Sequence, residues 1–176
     1  MKDDSSDEPK IPGAALLIWV AQGFGSGRIP FAPGTWGSVV GIGWYWALAA
    51  GSPSPLWFFG AALVAVFAAV SICGQAEVLL KQHDPSSVVL DEIVALPWCF
   101  CASVLKGVNQ NPVGSLDFFK EAVAGFVLFR FFDVIKPPPI RQLQKLPGGL
   151  GVVIDDVAAA LATALCLWIL QRVGVL

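Results

Sequence analysis

Charge is what this chain has least of. Asp, Glu, Lys and Arg supply only 14% of its 176 residues, against 56% hydrophobic. A soluble domain carries about a quarter charged residues, so this balance points to a membrane or to a nearly all-buried helical bundle. Histidine is almost missing as well. His83 stands alone in a loop, which argues against an imidazole-liganded zinc site. Cysteine is present but badly placed for chemistry: Cys73, Cys99, Cys101 and Cys166 all lie in apolar runs. Cys99-x-Cys101 lacks metal-ligand spacing and a second pair, so all four read as buried free thiols. There is no G-x-G-x-x-G, because Arg28 takes the third glycine's place, and no Walker loop, because no Lys-Ser/Thr follows. Internal repeats and low-complexity runs are missing too. The acidic N-terminus lacks the basic flank of a secretory signal peptide. Nothing in the pattern points to a nucleic-acid partner.

What is there is apolar and segmented. Five runs, roughly 37–50, 56–73, 88–105, 118–132 and 153–171, predict an all-α, compact bundle of about five mostly transmembrane helices. Several are shorter than the ~20 residues of a straight span, so tilted or partial crossings are expected among them. Before them, Gly13–Gln22 reads as an amphipathic segment lying in the membrane interface. Residues 1–12, with Asp3, Asp4, Asp7 and Glu8, read as a disordered acidic arm, leaving 13–176 as one helical membrane domain. The connections are unequal. Residues 51–55 carry no charge, whereas the loops holding Lys81, Lys136, Arg141 and Lys145 are basic. By the positive-inside rule the basic side is cytoplasmic.

That topology gathers the unusual residues on one face. The first motif, Gly23 to Ser38, is Gly-rich, with Gly34 between Pro33 and Thr35, and with Thr35 and Ser38 placed to cap a helix. It reads as an anion site at a helix start, or as a plain capped turn. The second, His83 to Glu92, ends in adjacent carboxylates, Asp91 and Glu92, at the start of a helix. They suit a metal, or they compensate the helix dipole. In the third, Arg130, Asp133 and Lys136 are spaced i, i+3, i+6, ahead of Pro137–Pro139 and Arg141. On a helix this is a polar stripe with surplus positive charge suited to phosphate, or a self-satisfying salt-bridge row. The fourth, Gly148 to Asp156, leads through flexible glycines into a second acid pair, Asp155 and Asp156, at a second helix start. Two acid pairs beside several bases suit an oxygen-liganded divalent cation.

Taken together, GFGSGRIPFAPGTWGS, HDPSSVVLDE, FRFFDVIKPPPIR and GGLGVVIDD resemble the phosphatidylglycerophosphatase A family, in order and with similar spacing over roughly residues 20–165. Ala95 and Ala159-Ala160 stand where that family tends to have glycine, and every charged position matches. The resemblance implies a small helical membrane phosphatase of the bacterial cytoplasmic membrane. Its reaction takes the terminal phosphate from phosphatidylglycerophosphate, leaving phosphatidylglycerol, and it requires Mg²⁺. On this reading Asp91, Glu92, Asp155 and Asp156 are the Mg²⁺ ligands. Arg130, Lys136 and Arg141, with Gly34, Thr35 and Ser38, hold the phosphate. Asp133 or Asp84 orients or deprotonates the attacking water, with Arg130 stabilising charge. A histidine-dependent lipid phosphatase would need at least two histidines. An ion-coupled carrier would place its acids near mid-helix and show a repeat between halves.

Overall fold

The computed structural model describes residues 13–107 and 114–176, and its regular structure there is helical. The expected arm, 1–12, lies outside the described residues, as does most of the loop before Ser115. Helix α1 (Ala14–Ala21) leads through a 3-10 turn (Gly23–Arg28) into α2 (Pro33–Gly51) and α3 (Pro55–Leu80). A broken run follows: α4 (Leu90–Ala95), a second 3-10 turn (Leu96–Phe100) and α5 (Cys101–Lys106). Then come α6 (Leu116–Ile135), the short α7 (Ile140–Leu143) and α8 (Gly149–Arg172).

Apart from Val88 and Val89, the five apolar runs lie in helix, but they are not five equivalent spans. Only α3 and α8 among the described residues are both long and apolar enough to cross a membrane. At 1.5 Å per residue they measure about 39 and 36 Å, more than the ~30 Å of hydrocarbon. Helix α6 has the length, but Asp117, Lys120, Glu121, Arg130 and Asp133 lie along it. The third run is not one helix, because Pro97 has no N–H with which to continue α4. Nor is α1 amphipathic: all eight of its residues are apolar, so it has no polar face, and it packs on α3.

Helix α8 lies at the centre, against α3, α4 and α6. Its buried Ala159, Ala160, Thr163 and Ala164 are small, which lets neighbouring backbones come close. On α3, Ala62, Val66, Ala69, Cys73 and Ala76 recur at helical spacing and are buried. The opposite faces are apolar and open, with Leu56, Val64 and Phe67 of α3 and Phe119, Val127 and Phe131 of α6 all exposed. Meanwhile Asp91, Asp133, Asp155 and Asp156 are buried. Grease outside and carboxylates inside is the arrangement expected for a chain surrounded by lipid.

Three local expectations change. Thr35 and Ser38 do not cap α2: Ala32 is its N-cap, without a side-chain bond, and both hydroxyl residues lie inside the helix. The glycines before Asp155 are not a linker, since α8 begins at Gly149. A Cβ on Gly149 would stand 2.1 Å from the Val70 carbonyl oxygen, so this glycine is a crossing point of α3 and α8. Asp155 and Asp156 therefore lie about two turns inside a helix and not at its start. Finally, all four thiols are free, but only Cys73 and Cys99 are buried, whereas Cys101 and Cys166 are half-buried.

Candidate active site

The site forms where α4, the end of α6 and the first third of α8 meet. Arg130 and Asp133 of α6 continue into Lys136, which ends that helix in a left-handed conformation (φ 43°). The expected stripe is present. Arg130 Nη1 donates to Asp133 Oδ2 at 2.8 Å, and Lys136 Nζ stands 3.7 Å from Asp133 Oδ1. The stripe does not satisfy itself, however, because each base also reaches another helix. Arg130 Nη1 donates to Glu92 Oε1 of α4 at 3.1 Å. Lys136 Nζ donates to Asp155 Oδ2 of α8 at 2.5 Å and stands 3.9 Å from Asp156 Oδ1.

Glu92 is fixed from a third side. Ser38 Oγ stands 3.2 Å from Glu92 Oε2 and 2.9 Å from the Gly34 carbonyl oxygen, its one proton shared between the two. The Gly-rich segment thus backs onto the acid–base pair, and Ser38 serves Glu92. Thr35 is half-buried in the first turn of α2, and its hydroxyl makes no hydrogen bond among the described residues. Asp84 comes to the edge of the cluster on the 81–89 loop, where it accepts the Gln144 amide at 3.2 Å. Arg141 is exposed on α7 and forms no ion pair among the described residues.

Spacing alone does not single out Glu77 or Gln144. Glu77 Oε1 accepts the Asp84 amide at 2.8 Å and lies 2.7 Å from His83 Nδ1. It is a buried acid near the end of an apolar helix, which was a visible signal. Gln144 gave no such signal, because nothing local in sequence ties it to Asp84.

The electrostatics follow from burial. Glu92, Asp133, Asp155 and Asp156 pair with Arg130 and Lys136, and Asp91 is buried beside them, so these two bases offset two of the five negative charges at full ionisation. Burial pushes the Glu92 carboxyl up to about 8, and Asp133 adds to this while Arg130 and the Ser38 bond pull against it. Burial, then the neighbouring Glu92, raises Asp91 well above the usual carboxylate range. At Lys136 burial opposes the charge, but Asp156, Asp155 and Asp133 outweigh it and raise the amine.

This donor set bears on a Mg²⁺ site. Among the described residues no three His, Cys, Asp or Glu side chains close on one point as a ready cage. Arg130 and Lys136 stand between the acid pairs instead. Mg²⁺, however, usually takes one or two carboxylates, waters and substrate phosphate oxygens, so a full protein cage is not what it asks for. Asp91 of α4 and Asp156 of α8 are near enough for the charge of one to act on the other. Neither has a base nearer than the Lys136–Asp156 contact among the described residues. Hard oxygens and surplus negative charge fit the ion.

Comparison with known proteins shows the family. The family model for phosphatidylglycerophosphatase A matches residues 19–171. A phosphatidylglycerophosphatase A of Haemophilus influenzae is 35% identical over 86% of this chain and 86% of its own length. One from Escherichia coli is 34% identical over 82% of this chain and 77% of its own. A putative phosphatidylinositol-3-phosphatase of Bacteroides thetaiotaomicron is 36% identical over 82% of this chain and 86% of its own. No solved structure matches. The matched span holds all four charged motifs, and the chain belongs to the phosphatidylglycerophosphatase A family.

Proposed function

We propose that this protein hydrolyses phosphatidylglycerophosphate to phosphatidylglycerol and inorganic phosphate, for phospholipid synthesis, at the cytoplasmic face of a bacterial membrane. The observation that carries the reading is the meeting of Arg130 and Lys136 with four acids from three helices, Asp91 buried beside them, at one end of an outwardly apolar bundle. Mg²⁺ would be held by Asp91 and Asp156, with Glu92 and Asp155 beside them or through water. When bound, the ion neutralises phosphate charge and makes a bound water more acidic.

The chain's own residues do the rest. Arg130 offers a planar fork to the phosphate oxygens, and Lys136 a point charge across from it. In the structure both are already held by carboxylates, so substrate phosphate exchanges one set of anionic partners for another and the bases need no long search. Arg141, exposed at the rim, is free to meet the head group first. Both Asp133 oxygens face bases, whereas Asp84 accepts only an amide in the contacts described. Asp84 is therefore the better placed to take the proton of the attacking water, and Asp133 to orient Arg130 and Lys136. Acyl chains stay against the apolar faces of α3 and α6.

The test is release of inorganic phosphate from phosphatidylglycerophosphate by the purified protein with Mg²⁺. Asp91→Asn and Asp156→Asn should each lose about a hundredfold or more, and Arg130→Ala far more than Lys145→Ala. Wild-type rates in both acid variants would sink the metal assignment. The relative named as a putative phosphatidylinositol-3-phosphatase favours a second head group. The same assay run on phosphatidylinositol 3-phosphate and on phosphatidic acid separates the substrates.

A further inference from the structure

A second polar site lies at the opposite end of the bundle, away from every residue used above. There a cavity of about 530 Å³ opens among α2, α5, α6 and the end of α8. Its floor holds Glu121 of α6, which is buried. The Glu121 carboxylate accepts the Ser103 hydroxyl of α5 and, at 3.1 Å, the Gln171 amide of α8. Gln171 in turn accepts Lys106 Nζ at 2.6 Å. Lys120 and Asp117 pair at 3.2 Å, both exposed at the mouth.

Tyr45 of α2 lines the same cavity and is only 5% exposed. Its ring is clamped between Phe100 at 4.0 Å and Phe118 at 5.3 Å, both nearly parallel to it. The hydroxyl nevertheless makes no hydrogen bond among the described residues. The stacked rings hold the residue in place, where it lines the cavity. Tyr45 and Glu121 line the same cavity, so both bring oxygen atoms to its wall.

The charged side chains lining the cavity, Glu121 and Asp117 with Lys106 and Lys120, differ in depth. An acid lies at the floor and both lysines are exposed. That order suits a ligand that leads with a cation and trails an anion. We propose that this cavity binds a phosphoethanolamine-type zwitterion, its ammonium on Glu121 and Tyr45 and its phosphate at Lys106 and Lys120. An ammonium is a donor only and matches carboxylate and phenol oxygens. Exposed Leu105 and Leu116 beside the mouth suit acyl chains, so both a lipid head group and the free compound are tested.

The experiment is native mass spectrometry of the full chain with phosphatidylethanolamine and with phosphatidylglycerol, beside calorimetry with free phosphoethanolamine. The expected result is that phosphatidylethanolamine binds more tightly than phosphatidylglycerol. Glu121→Gln should then weaken it about tenfold, and Tyr45→Phe severalfold. Phosphate release at the other end should stay unchanged in both. Free phosphoethanolamine binding with the same sensitivity to Tyr45→Phe supports the site with a soluble ligand as its source. Should Glu121→Gln fail to fold, Tyr45→Phe and the surface variant Lys120→Ala decide. Equal binding of the two lipids together with no binding of the free compound overturns the proposal, as does binding indifferent to both variants.

Discussion

Gly34 lacks a side chain because there is no room for one. A Cβ there would stand 2.2 Å from Glu92 Oε1 and 3.0 Å from Arg130 Nη1. Gly34→Ala should therefore push Glu92 and Arg130 apart and cost phosphate release about tenfold to a hundredfold. Gly43→Ala, on the same helix with nothing within 4 Å of its Cβ, should stay within about twofold. Equal rates for the two variants would remove the Glu92–Arg130 pair from the mechanism. Glu92 also sets a pH dependence. Its folded value of about 8 lies above the ordinary 4.5, so its neutral form favours folding below that ordinary value. That contribution is lost as pH rises through about 8 in metal-free protein. A cation must displace the same proton, so Mg²⁺ affinity should increase from pH 6 towards 8 by up to about tenfold per unit, then level off. Titration calorimetry at several pH values reads this, and Glu92→Gln should make the profile shallower, leaving the part due to Asp91.

Helix α8 was the element least legible in sequence at its beginning. Gly148-Gly-Leu-Gly looks like a flexible lead, yet Gly149 and Gly151 are helical. The reason lies in a partner that no local pattern reveals: Gly149 meets Val70 and Gly74 of α3, across a gap that admits no methyl group. Overpacking at such a crossing costs about 1–3 kcal/mol. Gly149→Ala should lower thermal stability in detergent accordingly, while Gly60→Ala, whose Cβ meets nothing within 4 Å, should not. An unchanged melting temperature for Gly149→Ala would mean that the α3–α8 contact is loose. Other elements were easier to read. The Arg130–Asp133–Lys136 stripe followed from helical spacing, and Pro137 marked where α6 stops. The extension of α3 to Leu80, well past its apolar run, did not follow, because it depends on Glu77 receiving His83 and Asp84.

At the scale of the whole molecule, apolar runs and uneven loops were enough to bring every charged motif to one end. What they left unread was which charges touch. Sequence separates Glu92 from Arg130 by 38 positions and Lys136 from Asp155 by 19, and only packing around α8 joins them. The same packing sets the height of the site. Cys73 feels both Asp91 and Asp156, which marks their level along α3. That level is eighteen residues from Pro55, or about 27 Å along the helix, close to one hydrocarbon thickness. The rest of α3, Gly74 to Leu80, continues about another 10 Å. On the proposed reaction this height sorts the two products. Inorganic phosphate is released at the waterline and leaves into the aqueous phase without meeting oil. The lipid, whose chains never left the bilayer, departs sideways.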